Sequence, residues 1–160
     1  MPGTKIKKID SLKKEISRLK KSGKRIVFTN GCFDLLHYGH VMYLEKAKSL
    51  GDVLVVGLNS DASVRRIKGS RRPLINQNDR AKIIAALESV DFVVIFGSDT
   101  PLEAIKALKP DLLVKGSDWQ NKGIVGAEFI KNYGGRVLTV KLADGRSTSS
   151  LIKKILERYR

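Results

Sequence analysis

The sequence predicts an α/β fold: a five-stranded parallel sheet with helices on both faces, preceded by an amphipathic N-terminal helix. Three observations predict it. Short apolar runs rich in β-branched residues alternate with segments of helical period five times along the chain. Strands joined through helices pair in parallel by right-handed crossovers. Phosphate-seeking residues recur where strands end or helices begin, the edge at which such a sheet collects ligands.

Taken in order, residues 5–22 read as a helix with Ile6, Ile9, Leu12, Ile16 and Leu19 on one stripe and lysines elsewhere. Gly23 ends it. The stripe packs outside the core fold or serves a homodimer contact, and the division expected is 1–24 for this helix and 25–160 for the main domain. Arg25–Thr29 is the first strand, stopped by Asn30 and Gly31. Val41, Leu44, Ala47 and Leu50 mark a helix. Asp52–Asn59 is the second strand, with Ser60 or Asp61 capping a helix to about Lys68. Gly69–Asn76 is a loop able to close over a ligand. Asn76 or Asn78 caps a helix to Ser89, with Ala81, Ile84, Ala85 and Leu87 facing inward. Asp91–Phe96 is the third strand, and Pro101 opens a helix to Leu108. Asp111–Lys115 is the fourth strand. Gly126–Tyr133 is helical, Arg136–Val140 is the fifth strand, Asp144–Arg146 turns, and Leu151–Arg158 closes the chain.

A chain of 160 residues holds one domain with a real core. Hydrophobic content of 42% against 29% charged residues fits a folded soluble protein. No apolar run approaches a membrane span, the basic N-terminus has no apolar stretch behind it so no secretory signal is expected, and Cys32 is the only cysteine, so a disulfide framework is excluded and a cytoplasmic setting is expected. The net charge is +15, but residues 1–25 contribute +8 of it. That excess reads as a solvated helix face. Five of the eight residues from Arg65 to Arg72 are basic, and few aromatics lie near to stack on bases. The cluster therefore reads as a polyphosphate clamp, and neither nucleic acid nor membrane is expected as a partner.

The chemistry concentrates in His37-Tyr38-Gly39-His40, between the first strand and its helix. A helix N-terminus there offers free N–H groups and the positive end of the dipole, and Gly39 lets backbone approach an anion. Arg80 sits in the first turn of its helix, against the dipole, so it reads either as an anion ligand or as a plain surface arginine. Ser147, Thr148, Ser149 and Ser150 crowd another helix start. There is no Gly-x-Gly-x-x-Gly, no P-loop, no nucleophile triad and no metal-ligand spacing. Cations, hydroxyls and backbone N–H groups suit direct phosphoryl or nucleotidyl transfer.

TNGCFDLLHYGH resembles the signature of the HxGH nucleotidyltransferases, the cytidylyltransferase-like superfamily. From residue 24 onward, NSDASVRRIKG, RPLINQNDRAKIIAALESVD, DTP, PDLLVKGSDW and DGRSTSSLIKKI resemble the adenylyltransferase domain family of the ADP-heptose synthases, in stand-alone form without the sugar-kinase half. The resemblance implies a Rossmann-like fold. It also implies transfer of AMP from ATP to D-glycero-β-D-manno-heptose 1-phosphate, giving ADP-heptose and pyrophosphate, with Mg²⁺ accompanying the nucleotide. By the same resemblance His37 and His40 contact the ATP phosphates. Asn30, Gly31, Cys32 and Phe33 offer backbone N–H groups, and Lys68 and Arg80 neutralise phosphate charge. Lys115, Gly116, Asp118 and Trp119 line the nucleotide pocket, and Ser147, Thr148 and Ser149 hold the β- and γ-phosphates. Asp34 either meets the acceptor or serves as a turn carboxylate.

Two departures stand out: Ser149 occupies the place of a second threonine, and Arg146 stands where smaller or apolar residues are common. A cytidylyltransferase acting on glycerol 3-phosphate is the alternative within the superfamily, although Leu142 occupies the place of that relative's arginine. A non-catalytic nucleic-acid-binding protein is the alternative of another class, motivated by a pI near 10.1.

Overall fold

The structure is a computed structural model describing residues 1–119, 122–141 and 147–159. Strand β1 (Ile26–Gly31) is the centre of the sheet, and every side chain from Ile26 to Thr29 is buried. It pairs in parallel with β2 (Val53–Asn59) on one side and β4 (Leu112–Gly116) on the other. β3 (Phe92–Phe96) adds outside β2 and β5 (Arg136–Val140) outside β4, so the order is β3-β2-β1-β4-β5. All strands run the same way, which brings their C-terminal ends to one edge. This is the fold expected from the sequence.

Alternation along β1 divides the core. Val27 faces a layer with Leu44, Leu54, Val56, Ile84 and Val93. Ile26 and Phe28 face the opposite layer with Leu12, Ile16, Ile105, Leu113 and Ile130. The first layer carries α3 (Tyr38–Lys48) and α5 (Gln77–Ala85). The second carries α2 (Ile9–Lys21), α6 (Leu102–Leu108) and α7 (Ala127–Asn132). The remaining helices are α1 (Pro2–Lys5), α4 (Asp61–Lys68) and α8 (Thr148–Arg158).

The predicted N-terminal helix is not continuous. Ile6 forms a parallel bridge with Val93, and Lys7 donates its N–H to Val93 O at 2.9 Å. Ile6 packs on one face of the sheet while Leu12 and Ile16 are buried on the other. No straight helix reaches both faces, so the chain crosses the β3 edge in extended form before α2 begins. At the other end of α2, Gly23 takes φ +79°; its N–H reaches Lys20 O, and the N–H of Lys24 reaches Leu19 O, closing the helix as expected.

Other differences are at boundaries. α3 starts at Tyr38 and α8 at Thr148, each about a turn before its first periodic apolar residue, because His37 and Ser147 act as caps. Ser60 caps α4 and Asn76 caps α5. The turn at 144–146, with Arg146, and Leu142 lie outside the described residues. Among the described residues no helix is long and apolar enough to cross a membrane.

Candidate active site

The strand ends open on a cavity of about 590 Å³. The β1–α3 junction forms its floor. Gly31 is needed there, since a Cβ would stand 2.9 Å from the Phe33 ring. Phe33 itself adopts φ +44°, a strained value for a non-glycine residue, and it persists because the ring is almost wholly buried. The ring meets His40 edge-on at 5.3 Å.

His37 caps α3 and His40 is its third residue. The N–H of His37 donates to His40 Nδ1 at 3.4 Å. The two rings stack, with centroids 3.8 Å apart and planes 23° from parallel. Burial, then repulsion from His37, lowers the His40 pKa to about 4. His40 is thus neutral at physiological pH. With Nδ1 accepting, its proton lies on Nε2, so the ring presents one N–H donor that does not depend on protonation. Tyr43, one turn along, is buried and donates to Val114 O at 3.0 Å. It also shares a 2.7 Å hydrogen bond with Thr29. This phenol ties the motif helix to β1 and β4.

Near the end of β4, Lys115 is almost buried. Its Nζ donates to Asn30 Oδ1 at 3.1 Å and lies 4.7 Å above the Trp119 ring. Burial is the main reason its pKa falls to about 8. Gly116, Asp118 and Trp119 line the same wall. The α8 N-terminus supplies Ser147, Thr148 and Ser149, and Ser147 Oγ accepts the N–H of Ser150 at 3.0 Å. Two helix N-termini, those of α3 and α8, therefore open on one cavity. Lys68, at the exposed end of α4, lines the opposite wall. Asn30, Cys32, Asp34 and Gly39 complete the floor.

Two predicted site residues are held by the protein's own groups. Arg80 is fully buried and is absent from the cavity wall. Its guanidinium donates to Ile75 O at 2.9 Å, Asn59 O at 2.9 Å and Asp61 Oδ1 at 2.8 Å, and also to Cys32 O. These acceptors, the Asp61 carboxylate among them, offset the dipole conflict read from the sequence. Asp34 has a fully buried side chain, and both carboxylate oxygens receive bonds from the 69–76 loop. Burial raises its pKa, but the N–H groups of Ile75 and Leu74 and the Arg72 guanidinium outweigh it and hold the carboxyl below its usual value. These bonds are those of a turn carboxylate, and Asp34 also borders the cavity.

Sequence reasoning missed Tyr43, Arg72, Asp99 and Thr100, all on the cavity wall. Arg72 and Asp99 sat inside stretches already singled out, but neither periodicity nor composition says which arginine of a cluster turns inward. Among the described residues no group of three or more His, Cys, Asp or Glu is placed to hold a metal ion.

An HxGH junction beside a second helix N-terminus, on a parallel sheet of this order, is the arrangement of a nucleotidyltransferase fold. The sequence comparison bears this out: the cytidylyltransferase-like family model matches residues 28–154, and the chain belongs to that family. Bifunctional protein HldE of Pelobacter propionicus is 60% identical over 156 residues, 98% of this chain and 32% of that protein. Bifunctional protein HldE of Geobacter metallireducens is 61% identical over 155 residues, covering 97% and 32%. The chain thus spans about a third of the length of these curated relatives. Among solved structures, the lipopolysaccharide core biosynthesis protein from Thermoplasma volcanium is 31% identical with a TM-score of 0.61, covering 76% of this chain and 98% of that one. The pantoate-beta-alanine ligase of Francisella tularensis shares the fold, with a TM-score of 0.64 at 18% identity over 93% of this chain and 72% of that one.

Proposed function

We propose that this chain transfers AMP from ATP to D-glycero-β-D-manno-heptose 1-phosphate, giving ADP-heptose and pyrophosphate for lipopolysaccharide core synthesis in the cytoplasm. The observation that carries the reading is identity of about 60% to bifunctional HldE proteins across nearly the whole chain, HxGH junction included. A phosphate oxygen of the sugar 1-phosphate attacks the α-phosphorus of ATP. One P–O bond forms there, the bond to the β-phosphate bridge breaks, and pyrophosphate leaves in line. The nucleophile is already an anion, so no general base is required.

The residues divide the work. His40 Nε2–H and the free N–H groups of α3 meet the charge that builds on the α-phosphoryl oxygens. His37 holds the His40 ring in its tautomer and plane. Ser147, Thr148 and Ser149 hold the leaving β- and γ-phosphates at the α8 N-terminus. Lys115, Asp118 and Trp119 border the nucleoside, and Lys68 adds positive charge across the cavity. Arg80 acts through others, fixing the Cys32 carbonyl beside the end of β2. Mg²⁺ enters as the MgATP substrate, carried by its phosphates.

The test is pyrophosphate release by purified protein with MgATP or MgCTP against heptose 1-phosphate or glycerol 3-phosphate. Turnover confined to ATP with heptose 1-phosphate is expected. Turnover with CTP and glycerol 3-phosphate overturns the substrate assignment while keeping the class.

A further inference from the structure

The 69–76 loop joins α4 to α5 and crosses above Asp34. Arg72 lies on it, lines the cavity and has a side chain only 16% exposed. Its Nε donates to Asp34 Oδ2 at 2.5 Å. The N–H groups of Leu74 and Ile75 reach Asp34 Oδ1 at 2.8 and 3.0 Å. The guanidinium is therefore held from the side, through Nε. Among the described residues no hydrogen bond engages either Nη. A structural ion pair of greatest strength would set the fork end-on against the carboxylate. Here the carboxylate fixes the plane of a guanidinium that belongs to the cavity lining, and the hydrogen bond it makes uses neither Nη.

The strand order says which partner. Elements after β4 and β5 lie on one side of the histidines: Asp118, Trp119 and the α8 N-terminus. Elements after β2 and β3 lie on the other: Lys68, Arg72, Asp99 and Thr100. In-line transfer at a phosphorus beside His40 needs the attacking group opposite the leaving group. With the leaving phosphates at α8, the attacking group comes from the β2 side.

We propose that Arg72 binds the phosphate of the acceptor through its paired Nη groups, and that Asp34 is its positioning residue. The assignment rests on the nucleotidyl-transfer reading above but not on the identity of the sugar, since any acceptor of this kind carries a phosphate. Asp34 thereby acts on the acceptor without touching it.

The experiment compares Arg72→Ala, Arg72→Lys and Asp34→Asn with the unaltered protein, using the acceptor that supports turnover. Losing a charge-assisted pair is worth about tenfold or more. Arg72→Ala is expected to raise KM for the acceptor phosphate by about that factor while KM for ATP stays within about twofold. Arg72→Lys keeps the charge without the fork and recovers part of the loss. Asp34→Asn raises the acceptor KM with ATP binding, read from Trp119 fluorescence, unchanged. A rise in KM for ATP instead, or equal acceptor KM in all variants, overturns the proposal. If Arg72→Ala fails to fold, the Arg72→Lys comparison decides alone. If the unaltered protein turns over none of the four pairs, the functional reading fails by itself. Arg72 is then judged by calorimetry with inorganic phosphate, where equal affinity in Arg72→Lys and unaltered protein overturns it.

Discussion

Replacing Arg80 by methionine separates a buried tie from a phosphate ligand. Arg80 joins four acceptors that come from three places: Cys32 in the motif loop, Asn59 and Asp61 at the β2–α4 junction, and Ile75 ahead of α5. Methionine fills much of the volume but donates nothing. It strands the carbonyls and leaves the Asp61 carboxylate without its cation. Breaking a buried ion pair from one side costs about 3–5 kcal/mol. For a chain of 160 residues each kcal/mol moves the midpoint by about 3 °C, so Tm is expected to fall by about 10–15 °C. Urea unfolding and a thermal melt read this directly. Activity falls as well, through kcat, because the Cys32 carbonyl loses its anchor under the histidines. A variant that keeps its Tm within about 2 °C while KM for ATP rises severalfold would refute the reasoning and return Arg80 to the list of phosphate ligands.

The remaining expectations concern the imidazole and ammonium groups. His40→Ala is expected to lower kcat about a hundredfold or more, with an unchanged circular-dichroism spectrum, as for loss of a transition-state donor; near-full activity would remove His40 from the mechanism. His40 has a folded pKa of about 4 against 6.5 for the free group, so the unfolded chain binds more protons between those values. Stability is therefore lost as pH falls from 6.5 toward 4, and His40→Gln flattens that slope in urea titrations. Lys115, at about 8, is charged at neutral pH and loses its charge above that value. kcat/KM for ATP should fall on the alkaline side near pH 8, and Lys115→Arg should move that limb upward. An unmoved limb assigns it to another group.

The sheet was legible because each strand is a continuous apolar run bounded by breakers, and β2 is buried along its whole length. The motif floor was legible because HxGH lies within contiguous sequence. Long-range polar geometry was not. Arg80 meets Cys32, 48 residues away, and Arg72 meets Asp34 across 38 residues. Nothing local distinguishes Arg72 from the solvated Arg65 and Arg71, and the first-turn position of Arg80 signals a partner without saying which. The break at Ile6 was hidden for a related reason: its spacing matches the stripe of α2, and only the bridge to Val93 takes it out of register.

That bridge has a consequence for handling the protein. β3 is an outer strand, and an uncovered outer strand recruits other chains by backbone pairing. Here Lys7 occupies Val93 O, and Lys5 Nζ reaches Leu87 O at 3.1 Å and Val90 O at 2.7 Å, so the opening residues act as a removable cover strip. Shortening the chain to residue 9, or fusing a bulky tag directly ahead of Lys5, lifts the strip. The resulting preparation would precipitate through stacking of its own strands, while its active-site residues remained intact.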